Sequence, residues 1–279
     1  MSTKRVKEVI LLVVFSLFVS SFTQSFAGKP SQGLVLNGTV CKSMPGTWKA
    51  GKNGTCTITS MVTFPSSFTI DTGDKLQVNS NGSFTNTAEI FVNSGASLIN
   101  NGTFSSSTVR NYGAVTNYGT FTSSTIFNNA ATFSNSGTFN NNGTFNNQTP
   151  NSFFENISTF VNAYVFNNVG QANNNPGSSF TNTLNSIVNN NSSGFFRVNQ
   201  SSGNPGSTFT NNGTVTIQYP SIFYVYGNGT LNNSATGTFN SSGTTNNDGT
   251  VNNYGLLANT DSFSNYTTLN NKSSGIITN

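Results

Sequence analysis

The sequence predicts an all-β chain: a single-stranded parallel β-solenoid behind a disulfide-stapled N-terminal entry segment. Three observations predict it. Asn (48), Ser (39), Thr (39) and Gly (27) make up more than half of the 279 residues, and all four are weak helix formers. A short phrase recurs over residues 82–279: Asn or Ser, then Gly, then Thr, then an apolar residue. Such a unit buries too little to stand alone and must stack on copies of itself. Finally, the chain has only two cysteines, Cys41 and Cys56, and both precede the repeats.

From the N-terminus, Lys4, Arg5 and Lys7 precede an apolar run over residues 9–19, broken only by Ser16. Ser25-Phe26-Ala27 then offers small residues at the −3 and −1 places of a cleavage site. This is the pattern of a secretory signal peptide, residues 1–27, cut after Ala27. The apolar run falls short of the roughly 20 residues a bilayer-spanning helix needs. The expected product is secreted or extracellular, associated with a cell surface, and without a transmembrane segment after cleavage.

Residues 28–61 form the entry segment. In an exported protein an isolated pair such as Cys41 and Cys56 reads as a disulfide. Closing that loop is worth about 3 kcal/mol in loop-closure entropy. A metal or redox role would need His, more Cys or a Cys-x-x-Cys spacing, and the chain has no His at all.

Residues 62–279 form the repeat domain. Gly237, Gly243, Gly249 and Gly255 are each six residues apart, as are Gly113 and Gly119, and Gly137 and Gly143. A helix turns about 600° in six residues, so the apolar positions would scatter around it. A short strand with a tight turn fits, Thr and the following residue flanking one inward apolar side chain. Asn-Gly supplies the turn, as residues that tolerate positive φ. Three such units make a coil of about 18 residues, with coils stacked about 4.8 Å apart, so residues 76–279 hold about eleven coils. Inward positions are Phe104, Phe121, Phe133, Phe139, Phe145, Phe180, Phe209, Val215, Leu231, Phe239, Val251 and Leu257. Asn residues form amide ladders along the turns. Residues 150–180, almost without Gly, read as longer strands, and 173–177 as a loop.

Residues 63–79, which run Thr63-Phe64-Pro65-Ser66-Ser67-Phe68-Thr69-Ile70-Asp71-Thr72-Gly73 and on to Asn79, resemble the entry coils of secreted microbial parallel β-helix surface proteins. Asn100-Asn101-Gly102-Thr103-Phe104 and Asn141-Asn142-Gly143-Thr144-Phe145 are similar to their Asn-Asn-Gly-Thr-apolar runs. The resemblance spans residues 62–279 and implies a right-handed, pectate-lyase-like β-helix on a secreted or surface protein. It does not imply one activity, because adhesins, surface-layer components and lyases share such coils.

Charged residues are 6% of the chain and the net charge is +4 without a basic patch, so no nucleic-acid partner is expected. Asp71-Thr72-Gly73 matches an aspartic-protease triplet, but that chemistry needs a second Asp; the triplet reads as a turn. In the repeats Glu89, Arg110, Glu155, Arg197, Asp248, Asp261 and Lys272 are far apart in sequence, which speaks against a lyase or glycosidase site. Calcium-binding repeats need an Asp in each unit, and Asn, Ser and Thr stand there instead. No catalytic residue, cofactor or metal site is expected.

Sixteen Asn-x-Ser/Thr triplets include Asn37, Asn53, Asn81, Asn101, Asn142, Asn212 and Asn228. They are about as many as composition alone produces, and those in turns are open to glycosylation. Outward Thr103, Thr120, Thr138, Thr144, Thr214, Thr238 and Thr250 are not expected to share one plane. On an 18-residue coil they fall on all three faces, which speaks against an ice-binding Thr ladder. Tyr224 and Tyr226 are the candidate ligand contacts, pointing outward if Phe223 and Val225 point in. The expected function is a non-catalytic structural or adhesive β-solenoid, with end-to-end self-association and surface glycans as its partners. The alternative is a carbohydrate-binding surface module that uses Tyr224 and Tyr226.

Overall fold

The computed structural model describes residues 33–199 and 205–279, and the signal peptide read at residues 1–27 lies outside them. Strands wind through eleven stacked coils of three walls each, and every coil-to-coil pairing is parallel. The first wall begins with Thr55–Ile58, Lys75–Val78 and Ser97–Asn100 and ends with Ser262–Asn265. The second wall includes Met61–Phe64, Thr138–Asn141 and Thr250–Asn253; the third includes Phe68–Ile70, Thr144–Asn147 and Leu256–Asn259. The strands Ser83–Val92, Thr103–Asn111 and Thr120–Asn129 run through the corner between the second and third walls.

Ten coils separate Thr55 from Ser262, which is about 21 residues per coil rather than 18. The excess lies in the corners. Residues 150–180 do not hold longer strands: Phe153–Asn156, Thr159–Asn162, Val165–Asn168 and Gln171–Asn174 have four residues each. Asn173 and Asn174 belong to the last of these, and only residues 175–178 turn.

A typical strand reads Thr-Phe-Asn-Asn, with its second and fourth side chains buried. The second position is the hydrophobic column. All twelve inward residues expected from the sequence are at most 1% exposed. In one coil Phe133, Phe139 and Phe145 meet edge to face, with ring centroids 4.9 to 5.6 Å apart. Along the axis the rings lie nearly parallel: Phe139 is 5.0 Å from Phe160 at 4°, and Phe127 is 4.9 Å from Phe145 at 5°. Both geometries suit the ring quadrupole.

The fourth position is a buried amide. Within a ladder each inward Asn but the last donates to the Oδ1 of the Asn one coil further on, so Asn100, Asn117, Asn135, Asn156 and Asn174 form one ladder at 2.7–2.8 Å. A second runs through Asn141, Asn162, Asn182, Asn211, Asn233, Asn253 and Asn271. A third runs from Asn111 to Asn190. The sequence placed these ladders along the turns; they stand inside the walls, at strand ends, where a buried amide must be bonded.

The corners come in two kinds. Four-residue corners close on themselves with a β-turn bond, as from Gly82 N–H to the Asn79 carbonyl (2.8 Å) and from Ala96 N–H to the Asn93 carbonyl (2.9 Å). Aliphatic residues such as Ile70, Val78, Val92 and Ile217 fill the inward slot before some of these corners, and Asn174, Asn182, Asn190 and Asn233 fill it before others. A two-residue corner is too short for that bond, and the inward Asn supplies it. Asn117 donates to the Gly119 carbonyl at the corner (3.1 Å) and to the Thr138 carbonyl one coil on (2.9 Å). Ser241 does the same for Gly243 (3.0 Å). Ile58, before Thr59 and Ser60, is an exception.

The repeat glycines serve close approach rather than positive φ. A Cβ on Gly119 would lie 2.0 Å from the Gly102 carbonyl oxygen, and one on Gly137 would lie 2.1 Å from that of Gly119. Positive φ belongs to Gly73, Gly95, Gly177 and Gly227.

The first coil is covered. Leu34–Val35 pairs with Phe68–Ile70. Asn37 then caps the helix Gly38–Ser43 by accepting from the N–H groups of Thr39 and Val40 (2.9 and 3.0 Å), a favoured N-cap arrangement. The helix and the residue after it bury Val40, Cys41 and Met44. Cys41 is bonded to Cys56, which lies on the first strand of the first wall. Thr47–Lys49 adds the one antiparallel pairing among the described residues.

Candidate functional site

Outward side chains occupy the first and third positions of each strand, so the coil register decides which of them share a wall. The third wall carries aliphatics, among them Val165, Ile187 and Leu256, beside an outer amide ladder. That ladder runs through Asn189, Asn167, Asn146 and Asn128, each donating toward the lower number at 2.8–2.9 Å, opposite to the buried ladders.

The first wall gathers charge and aromatic rings in its middle coils. Phe153, Gln171, Phe195 and Ile222 follow one another at the first position; Glu155, Asn173, Arg197 and Tyr224 follow at the third. Arg197 lies 3.9 Å over the Phe195 ring and donates to Gln171 Oε1 (3.1 Å) and Asn173 Oδ1 (3.0 Å). Glu155 accepts from the Asn175 amide (2.7 Å). Tyr224 and Tyr226 stack, with centroids 3.8 Å apart at 19°. Phe223 and Val225 are fully buried, so both tyrosines point outward, half-buried. Each spends one ring face on the other.

The Tyr224 hydroxyl donates to Asp248 Oδ2. That bond, then burial and the Asp248 charge, push the phenol up to about 12. Sequence spacing missed this cluster because inserted corners place Arg197 26 residues from Gln171 and Asp248 24 from Tyr224.

The second wall is neutral. Its first position holds Ser83, Thr103, Thr120, Thr138, Thr159, Ser179, Thr208, Thr230, Thr250 and Thr268 in register. Its third position adds Thr85, Thr122, Thr181 and Thr210. The expected scatter over three faces does not occur: Thr103, Thr120, Thr138 and Thr250 share this wall, and Thr144, Thr214 and Thr238 share the third. Corner insertions absorb the drift and return each strand to its wall.

Asp71-Thr72-Gly73 is a corner. Asp71 Oδ1 accepts from the Asn93 amide (3.1 Å) and the Thr72 N–H (2.8 Å), which in that order hold its carboxyl below the usual value. Gly73 has φ +88°. On the third wall Arg110 pairs with Glu89 across adjacent coils. No group of three or more potential metal ligands occurs among the described residues. No helix there is long and apolar enough to cross a membrane. Comparison with family models, curated proteins and solved structures finds no match for this chain.

Proposed function

We propose that the chain is a non-catalytic structural or adhesive β-solenoid, exported and held at a cell surface. The observation that supports this most is where its side chains are spent. Ring stacks and amide ladders run coil after coil along the inside, which makes a rod whose outer walls contact other surfaces by area. The N-terminal leader pattern and the likeness to secreted microbial β-helix surface proteins support the exported address. Self-association end to end sets the open last coil of one copy against the helix-covered first coil of the next, a heterologous contact that can propagate.

The test is export from a secreting host, followed by N-terminal sequencing and size measurement across concentration. A product beginning at Gly28 that lengthens into rods supports the reading; retention of residues 1–27, or a monomer at all concentrations that adheres to no cell surface, overturns it. The clustering of Phe195, Arg197, Tyr224 and Tyr226 on one wall favours a second reading, a carbohydrate-binding surface. Under it, retention on surface glycans disappears when Tyr224 and Tyr226 are both replaced by Ala.

A further inference from the structure

We infer that the second wall is an ice-binding face. The inference goes beyond the structural and adhesive reading and does not rest on it. Two observations carry it. The first is a continuous column of Thr or Ser at the first position of every coil from the second to the last, joined at the third position by Thr122, Thr181 and Thr210 beside Thr120, Ser179 and Thr208, with Asn140 and Val161 between Thr122 and Thr181. The second is that these hydroxyls have no partner in the protein: among the described residues the outward hydroxyls of these six positions make no hydrogen bond. Lower on the same wall, Asn232, Asn252 and Asn270 bond to one another at 2.9 Å, so the unpartnered hydroxyls are those of the Thr and Ser columns.

The array therefore satisfies its hydroxyls from outside. Its repeats are about 4.8 Å between coils and about 6.8 Å between first and third positions, the scale of oxygen repeats on an ice surface. Thr suits the task because its branched Cβ restricts χ1, so hydroxyls and methyls are oriented before contact. The methyls fill the hollows between lattice waters while the hydroxyls replace surface waters.

The same wall lacks what other ligands need. It has no charge for a polyanion and no aromatic platform for a sugar ring at its outward positions. Each contact is weak, so only a rigid lattice that engages many coils at once binds well. Rigidity comes from below: the longest buried ladder, Asn141 to Asn271, runs directly under this wall.

The experiment uses the exported full chain and a single ice crystal held just below its melting point. The expected results are faceting of the crystal and a gap between melting and growth temperatures. Thr138→Tyr combined with Thr208→Tyr, which raises rings out of the plane, reduces that gap to the level of buffer. Thr214→Tyr, on the third wall, leaves it unchanged. Thermal melting monitored by circular dichroism shows that both variants are folded, and Thr208→Ser supplies a milder variant that removes only a methyl and lowers the gap in part. Absence of ice shaping by the parent chain overturns the inference. So does a gap that survives the double substitution in a folded protein, or retention on crystalline cellulose or chitin without any effect on ice.

Discussion

The corner after Asn117 and the corner after Val78 solve the same problem in opposite ways. Both turn the chain from the first wall to the second. After Val78 four residues turn, the Asn79 carbonyl accepts from the Gly82 N–H, and the inward slot is free to be apolar. After Asn117 only Tyr118 and Gly119 turn. The backbone cannot bond to itself across so short a corner, and a side-chain amide completes the set. Short corners thus call for an inward Asn, whereas four-residue corners accept either kind: Asn182, Asn190 and Asn233 stand before corners that close on themselves as the one after Val78 does. Where the corner lengthens, the slot can revert to Val or Ile.

Four measurements probe this contrast, the largest effect first. Gly119→Ala drives a Cβ into the Gly102 carbonyl, 2.0 Å away. We expect a loss of about 4 kcal/mol or more, read as a fall in the guanidinium midpoint. In the four-residue corner after Asn174, Gly177 has φ +80°, but a Cβ there would meet only ordinary contact, with the Pro205 Cγ 3.4 Å away. Gly177→Ala should cost only about 1–2 kcal/mol. Equal losses at the two sites would remove the distinction between close approach and positive φ.

Asn117→Leu leaves the Asn100 amide without one of its acceptors and the Gly119 and Thr138 carbonyls without their side-chain donor. About 3 kcal/mol is expected, with amide exchange accelerating first at residues 118–120. A smaller change than for Ile70→Asn would contradict the ladder's role. Ile70→Asn, before a self-closed corner and beneath Val92, should cost about 2 kcal/mol by burying an amide that gains no ladder partner.

The smallest effect joins the two kinds of corner, since Asp248 opens a two-residue corner and Tyr226 a four-residue one. Tyr224 is raised from 10.0 to about 12, so the fold favours its protonated form. The stabilisation is therefore fully present below pH 10.0 and is lost as pH climbs through about 12. Ultraviolet titration should show the Tyr224 phenol ionising late, and returning toward its ordinary value in Asp248→Asn. A late phenol that persists in that variant would assign the shift to burial instead.

The solenoid, its inward Phe column and the Cys41–Cys56 bond were legible because each rests on local pattern: alternation within a strand, a repeated phrase and an isolated cysteine pair. The candidate surfaces were less so. Tyr224 and Tyr226 read as outward from their alternation with Phe223 and Val225. Their mutual stacking and the bond to Asp248 did not, because partners in a coil are set by the number of residues between strands. The same count misplaced the Thr residues, since a uniform 18-residue coil distributes them over three walls.

By itself the sequence determined that this chain must stack. A six-residue beat with one apolar side chain per unit cannot bury a core alone, and its alternation fixes which side chains point inward. Only the tertiary structure decided which residues share a wall, which Asn carries a neighbouring corner and which threonines stand in line. Those outcomes depend on corner lengths of two, four or more residues. The stacking of one coil on the next selects the register at every coil, because a slip of one residue would turn Phe and inward Asn out to water.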